Sequence, residues 1–331
     1  MALTHNEANI LQGFLDHYRA LGVHRFLIVD DNSTDETRDI LSGQDDVIVF
    51  KPAEGTSYKE HKRFWRSEIL DDYCSDNWCV VPDMDEHLVY AGMGERSLSE
   101  VATSLDADGY DAVHGTMIDM YQDAPLSEHS YNGGSLAKAF PLFDGPDHYF
   151  RLPTPSRFRK KYPAPFYMVI GGMRQRVFLP YKVGNGDLLD RVFRKHADIG
   201  GPIWPSKSQE LTARFLRAVM RGRVHSSKVF NMTKVPFLKW RRGLYFHGGA
   251  HNLSQKVNLS PSKMGLLHFN FASGLSGVER RLLRGQHARG SRFYKTMRDQ
   301  EAQLQASPVF GGTLEYTGPE SLGRLVDALP E

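Results

Sequence analysis

The sequence predicts an α/β fold in which a mostly parallel sheet is flanked by helices. Three observations carry that expectation. Strand-length apolar runs alternate with segments of helical period over about the first ninety residues, the pattern of a parallel sheet covered on both faces. Acidic turns near residues 31 and 85 follow two of the strands, at the end of such a sheet where ligands gather. The composition, 40% hydrophobic and 24% charged over 331 residues, is that of an ordinary globular chain, long enough for one large domain or two small ones.

The elements follow in order. Met1 to Thr4 is a short apolar stub before the polar His5-Asn6-Glu7. Apolar residues at 10, 11, 14, 15, 18 and 21 have helical spacing, with Gly22 as the stop. Phe26 to Val29 reads as a buried strand ending in Asp30-Asp31, and Ser33 or Thr34 is placed to cap a helix from about Asp35. Val47 to Phe50 is the next strand, Tyr58 to Tyr73 a charged helix, and Trp78 to Val81 the strand before a second acidic turn. Beyond Tyr90 come a short helix over Leu98–Leu105, a strand over Ala112–Tyr121, and a loop-like stretch from 122 to 165. Tyr167–Phe178 reads as a strand broken by Gly171-Gly172, Leu211–Val219 as a helix, and Leu266–Phe271 as a late strand. Val278–Gln305 is a basic helical stretch interrupted at Gly285 and Gly290.

The chemistry centres on the stretch Pro82-Asp83-Met84-Asp85-Glu86-His87. Three carboxylates within four positions repel one another, and ionising all of them requires a cation. Oxygen ligands at a strand's carboxyl end suit a hard divalent ion that also touches phosphate. A solvated acidic turn is the competing reading. The remaining composition excludes several classes. A net charge of +2 offers no global field for nucleic acid. Cys74 and Cys79 cannot build a disulfide framework or a zinc cluster, and a reducing cytosol fits them best. No apolar run has the length of a membrane span, and the start has neither the basic nor the apolar content of a signal peptide. No Gly-x-Gly-x-x-Gly follows the first strand.

Taken together, Thr4-His5-Asn6-Glu7, His17-Tyr18-Arg19-Ala20-Leu21-Gly22-Val23, Val29-Asp30-Asp31-Asn32-Ser33-Thr34-Asp35 and Pro82-Asp83-Met84-Asp85-Glu86 resemble the family-two-like glycosyltransferases of the GT-A fold. The last block is similar to their Asp-x-Asp-Glu signature. Gly171–Phe178 and Gly265–Phe269 are similar to later blocks of one bacterial subgroup, over shorter matches. The resemblance implies a GT-A-like, Rossmann-like sheet with an acceptor-side extension. Residues 1–91 would be the nucleotide-sugar half, 92–276 the acceptor and catalytic half, and 277–331 a C-terminal helical extension. It implies transfer, with inversion, of a hexose-like sugar from a nucleotide-diphosphate donor, most often a uridine one, with Mn2+ or Mg2+. The acceptor would be a glycan or a lipid-linked glycan, as in polysaccharide biosynthesis. Asp31 falls where such enzymes contact the base, with Thr4 and Glu7 nearby, Asp83 where they contact ribose or metal, and Asp85 where they coordinate the metal.

Further candidates extend the site. An octahedral ion needs more ligands, and His268 in the apolar Leu266-Leu267-His268-Phe269 is the candidate, with His251 as its competitor and a core histidine as the plain alternative. Glu86 would orient a ligand or face solvent. Gly171 and Gly172 mark a place where backbone comes close to a ligand, and Arg174 and Arg176, sharing one face of a strand, would fork a diphosphate. A bulged strand with two solvated arginines is the other reading. For the base that deprotonates the acceptor, Asp187, Asp147 and Glu128 are weak candidates beside Asp119 and Asp144, and spacing selects none. The basic-apolar segments Arg157–Tyr162 and Arg280–Arg284 would rest on an anionic membrane at its inner face, hold an acidic acceptor, or be solvated. Two other functions compete: a phosphohydrolase of the haloacid dehalogenase type, disfavoured by His87 where a small hydroxyl or β-branched residue is needed, and a non-catalytic glycan-binding protein on the same fold.

Overall fold

The computed structural model describes all residues except 155, 181–187, 202–205, 220–228, 287 and 331. The chain starts with three parallel strands in the order β1 (Ala2–Thr4), β2 (Phe26–Asp30) and β3 (Val47–Phe50). Between them run α1 (Ala8–Ala20) and α2 (Thr37–Ser42), and α3 (Tyr58–Tyr73) follows. The apolar stripe of α1 does what its period requires: Ile10, Leu11, Phe14, Leu15 and Tyr18 are all buried. Gly22, at φ +87°, supplies the left-handed turn that ends it.

A second sheet of seven strands holds the other half of the molecule. It takes β4 (Trp78–Val80), β5 (Glu86–Val89) and, after α4 (Leu98–Ala107), the long β6 (Ala112–Tyr121). The stretch read as a loop contains α5 (Leu136–Ala139), β7 (Leu142–Asp144), β8 (Tyr149–Pro153) and α6 (Ser156–Arg159). Then come β9 (Tyr167–Gly171), α7 (Gly172–Phe178), α8 (Leu188–His196), α9 (Lys207–Val219), β10 (Thr233–Lys239), β11 (Phe246–His247), β12 (Asn252–Leu253) and β13 (Leu259–His268). The chain ends with α10 (Gly274–Arg284), α11 (Ala288–Arg298), α12 (Glu301–Leu304) and β14 (Thr313–Glu315). The fold is therefore mixed α/β, with a parallel three-stranded sheet and flanking helices. The expectation of a mostly parallel sheet needs correcting: in the larger sheet β6 and β13 pair in parallel, whereas β10 meets both β4 and β6, and β13 meets β5, antiparallel. Strands from either side of residue 91 interleave in it.

Four local readings change with the structure. Ser33 and Thr34 do not cap a helix; Ser33 Oγ accepts from the Asn6 N–H at 2.9 Å and Thr34 N–H donates to Asn6 Oδ1 at 2.6 Å, tying the two loops together. The segment after Gly171 is a helix rather than a strand. Gly290 lies inside α11, and the break falls at Gly285, whose φ of +62° closes α10. The late strand is longer than its apolar run and ends at His268.

Register sets the chemistry. His268 stands opposite Glu86 on one side and Asp119 on the other, so three polar side chains from three strands share one row. The turn from Asp83 to Asp85 leads into β5, and α1 steadies that strand from behind. Tyr18 donates its hydroxyl to Glu86 O at 2.9 Å and accepts the Leu88 N–H at 3.1 Å, while His17 stacks on His87 at 4.2 Å.

Candidate functional site

The acidic turn opens into a cleft of about 180 Å³, lined by Thr4, Glu7, Asp83, Asp85, Glu86 and His268 together with arginines of α10. A larger cavity of about 620 Å³ adjoins it, and Tyr58, Asp83, Met117, Arg174, His251 and Tyr294 line both. Aromatic side chains, among them Phe158, Tyr167, Phe230 and Phe293, line the larger one.

Asp85, Glu86 and His268 each bring a ligand atom within 4.8 Å of the others, so this buried group could hold a metal ion. The histidine fits that use. Its Nδ1 lies 2.9 Å from Asp119 Oδ1 and its Nε2 3.5 Å from Asp85 Oδ2, so one ring nitrogen is anchored and the other faces the carboxylate. Burial and Arg174 push the His268 pKa down, but Asp85 and Asp119 outweigh them and it stands above its ordinary value. Burial likewise opposes charge on Asp85, yet His268 and Arg281 hold its carboxyl below the usual range. Ligation would displace the Nε2 proton, which couples metal uptake to pH.

Asp83 is arranged differently from its expected place among the metal ligands. Its two oxygens receive Arg66 and Lys234, each at 2.6 Å. These cations overcome its burial and keep it well below the ordinary carboxylate pKa. Lys234, on β10 and fully buried, also reaches Glu86 at 2.5 Å, and Glu86 accepts the Asp83 N–H at 2.9 Å. Burial is the largest influence on Glu86 and leaves its pKa raised. Asp83 lines the cleft but is bound to this pair of cations; Asp85, itself reached by Arg281 at 3.0 Å, stands with Glu86 and His268 in the group that could hold an ion.

The nucleotide-side candidates converge. Thr4 O accepts the Asp31 N–H at 2.9 Å, Asp31 O meets His5 Nδ1 at 2.7 Å, and Thr4 Oγ1 donates to Glu7 at 3.4 Å. Asp31 pairs with Arg284, which lines the cleft. Burial, with Asp85 close by, pushes Glu7 up to about 7.

Other candidates separate from the site. Neither glycine of the pair, nor Arg176, is among the described residues lining the clefts. A Cβ on Gly171 would collide with His148 O and one on Gly172 would lie 2.8 Å from the Tyr149 hydroxyl, so the close approach is to the chain's own His148-Tyr149 segment at the start of β8. Because 174 and 176 lie on a helix, they diverge: Arg174 pairs with Asp119 at 2.8 Å and lines the cleft, whereas Arg176 pairs with Asp144 at 2.9 Å. Glu128 is exposed and caps a turn, and Asp147 is exposed and paired with Arg324; neither lines a cleft. Asp119 and Asp144 are bound by the ion pairs just named, and Asp187 lies outside the described residues. His251 stands at the junction of the two cavities with Nδ1 against Thr233 O at 2.6 Å; it is not in the metal-ligand group. Burial and Lys234 lower its pKa to about 4.

Sequence reasoning missed Arg66, Lys234, Arg281 and Arg284. Arg66 is one charge among many on a charge-rich helix, and Lys234 is one of two lysines in a largely apolar strand. The α10 arginines read as a run that is solvated, rests on a membrane or holds an acidic acceptor; Arg281 and Arg284 instead pair with Asp85 and Asp31. In the other basic segment Arg159 pairs with Glu210 at 2.9 Å. Among the described residues no helix is long and apolar enough to cross a membrane. No protein-family model matches this chain, and neither does any curated protein.

Proposed function

We propose that the protein is a glycosyltransferase of the GT-A kind that moves a sugar from a nucleotide-diphosphate donor, a UDP-sugar, to a glycan or lipid-linked acceptor on the cytoplasmic side. The observation that carries this reading is the buried group of Asp85, Glu86 and His268 in a cleft that also holds Asp83 and the Thr4–Glu7 loop. The sequence resemblance of these blocks to such enzymes supports it. Asp85 and His268 would hold Mn2+ or Mg2+, with Asp119 fixing the histidine ring. Bound there, the ion supplies Lewis-acid stabilisation of the departing diphosphate. Thr4, Glu7 and Asp31 would take the base and Asp83 the ribose. The adjoining aromatic-lined cavity is the room for an acceptor, whose rings can lie flat on such walls.

The test is donor hydrolysis. A panel of UDP-hexoses with Mn2+ is incubated with the protein and UDP release is followed. Slow release, abolished by EDTA and by Asp85→Ala, is the expected result. Phosphate release from simple monoesters would instead indicate a phosphohydrolase, and binding without turnover a glycan-binding protein.

A further inference from the structure

Asp85 Oδ2, the oxygen nearest His268, is also the oxygen that Arg281 reaches, at 3.0 Å. Arg281 is held in that position. Its Nη1 donates to Asn270 O at 2.9 Å, its Nη2 lies 3.8 Å from Glu7, and its side chain is only 11% exposed. The next turn of α10 brings Arg284 to Asp31, the carboxylate expected at the nucleobase. Arg280 lines the same cleft, where burial and Arg281 push its pKa down against the smaller opposing pull of Glu7 and Asp35. One helix face thus presents three guanidinium groups and neutralises two carboxylates of the proposed donor site.

We propose that α10 is a diphosphate clamp in which Arg281 exchanges Asp85 for the phosphates of a nucleoside diphosphate. The proposal rests on the metal–nucleotide reading above. An ion held between Asp85 Oδ2 and His268 Nε2 would meet the Arg281 guanidinium on that same oxygen and would displace it. Displaced from Asp85, Arg281 keeps only the longer 3.8 Å contact to Glu7, and a buried arginine short of counter-charge is unfavourable. A diphosphate arriving with the ion supplies that counter-charge, in the planar two-oxygen geometry that a guanidinium fork fits. Metal and nucleotide then bind with positive coupling, since each removes a cost the other would face alone. Arg284 makes the parallel exchange, turning from Asp31 as the base takes its place. No covalent step is involved.

The experiment uses the full chain and two probes, Mn2+ followed by electron paramagnetic resonance and UDP followed by calorimetry. In Arg281→Gln, Mn2+ alone should bind about tenfold tighter and UDP with Mn2+ about tenfold more weakly, the scale of one lost charge contact at a partly wet site. Arg284→Gln should weaken UDP without changing the affinity for Mn2+ alone. Should Arg281→Gln fail to fold, Arg281→Lys keeps the charge but not the fork: its Mn2+ affinity should match wild type while UDP weakens. Wild-type affinities for both probes in the folded Arg281 variant overturn the clamp and leave the metal–nucleotide reading standing. If wild type binds neither probe, that reading fails and the clamp with it.

Discussion

The imidazole Nδ1 of His268 lies 2.9 Å from Asp119 Oδ1, a contact made by residues directly opposite one another on the parallel pair β6 and β13. The sheet register therefore fixes which ring nitrogen faces Asp85. Burial opposes charge on Asp119, but Arg174 and His268 hold it ionised. Replacing it by Asn weakens the hold on the ring and unpairs Arg174. Asp119→Asn is expected to lower Mn2+ affinity by about 10–100-fold, the usual effect of losing an outer partner of a metal-ligating histidine. Titration of the ion against the folded variant checks this, and an unchanged affinity would count against the assignment of His268.

Lys234 is the cation on which the acidic turn depends. Its side chain is 1% exposed and sits against Asp83 and Glu86. Lys234→Met leaves two carboxylates facing one another with less compensation. The expected loss is about 3–5 kcal/mol of unfolding free energy, read by denaturant titration. Adding Glu86→Gln to that variant should recover part of it, because the second change removes one of the stranded charges.

Gly171 has φ +128°, and any side chain there would collide with His148 O. Gly171→Ala is expected to cost more than about 2 kcal/mol through backbone strain and crowding. UDP affinity per folded molecule should stay as in wild type. A variant of normal stability with weakened nucleotide binding would restore a ligand-side role for the glycine pair.

Acid should destabilise the protein through histidines held uncharged, the buried His114 and the half-buried His17. Burial brings His17 to about 4 and, with Lys263 assisting, His114 to about 3. Between these values and the unfolded pKa of about 6.5 the unfolded chain binds more protons than the native one. Their contribution is complete above pH 6.5 and is lost as the pH falls toward the folded values. From pH 7 to 5 each such histidine should cost on the order of 2 kcal/mol. Melting curves across that range should therefore fall, and His114→Leu should flatten the slope.

The opening third of the chain was legible because its signals are local. Apolar periods located α1, β2, β3 and α3 closely, and three carboxylates after an apolar run located the turn beside β4. Two other features are long-range and leave no local trace. Lys234 lies 151 positions from Asp83 and Arg281 196 from Asp85, and only strand order and the return of α10 bring them together. The Gly171-Gly172 pair was misread for a different reason. A left-handed glycine at 172, φ +75°, starts a seven-residue helix too short to show a period, so alternating Arg174 and Arg176 looked like a strand face.

Whether Asp85 and His268 hold a metal beside a nucleotide is decided by anomalous diffraction from crystals of the full chain grown with Mn2+ and UDP. One strong manganese peak is expected at ligand distance, about 2.1 Å, from an Asp85 carboxylate oxygen, with Nε2 of His268 turned toward it and the UDP diphosphate beside it. A peak elsewhere, or UDP bound with no manganese beside Asp85, would contradict that expectation.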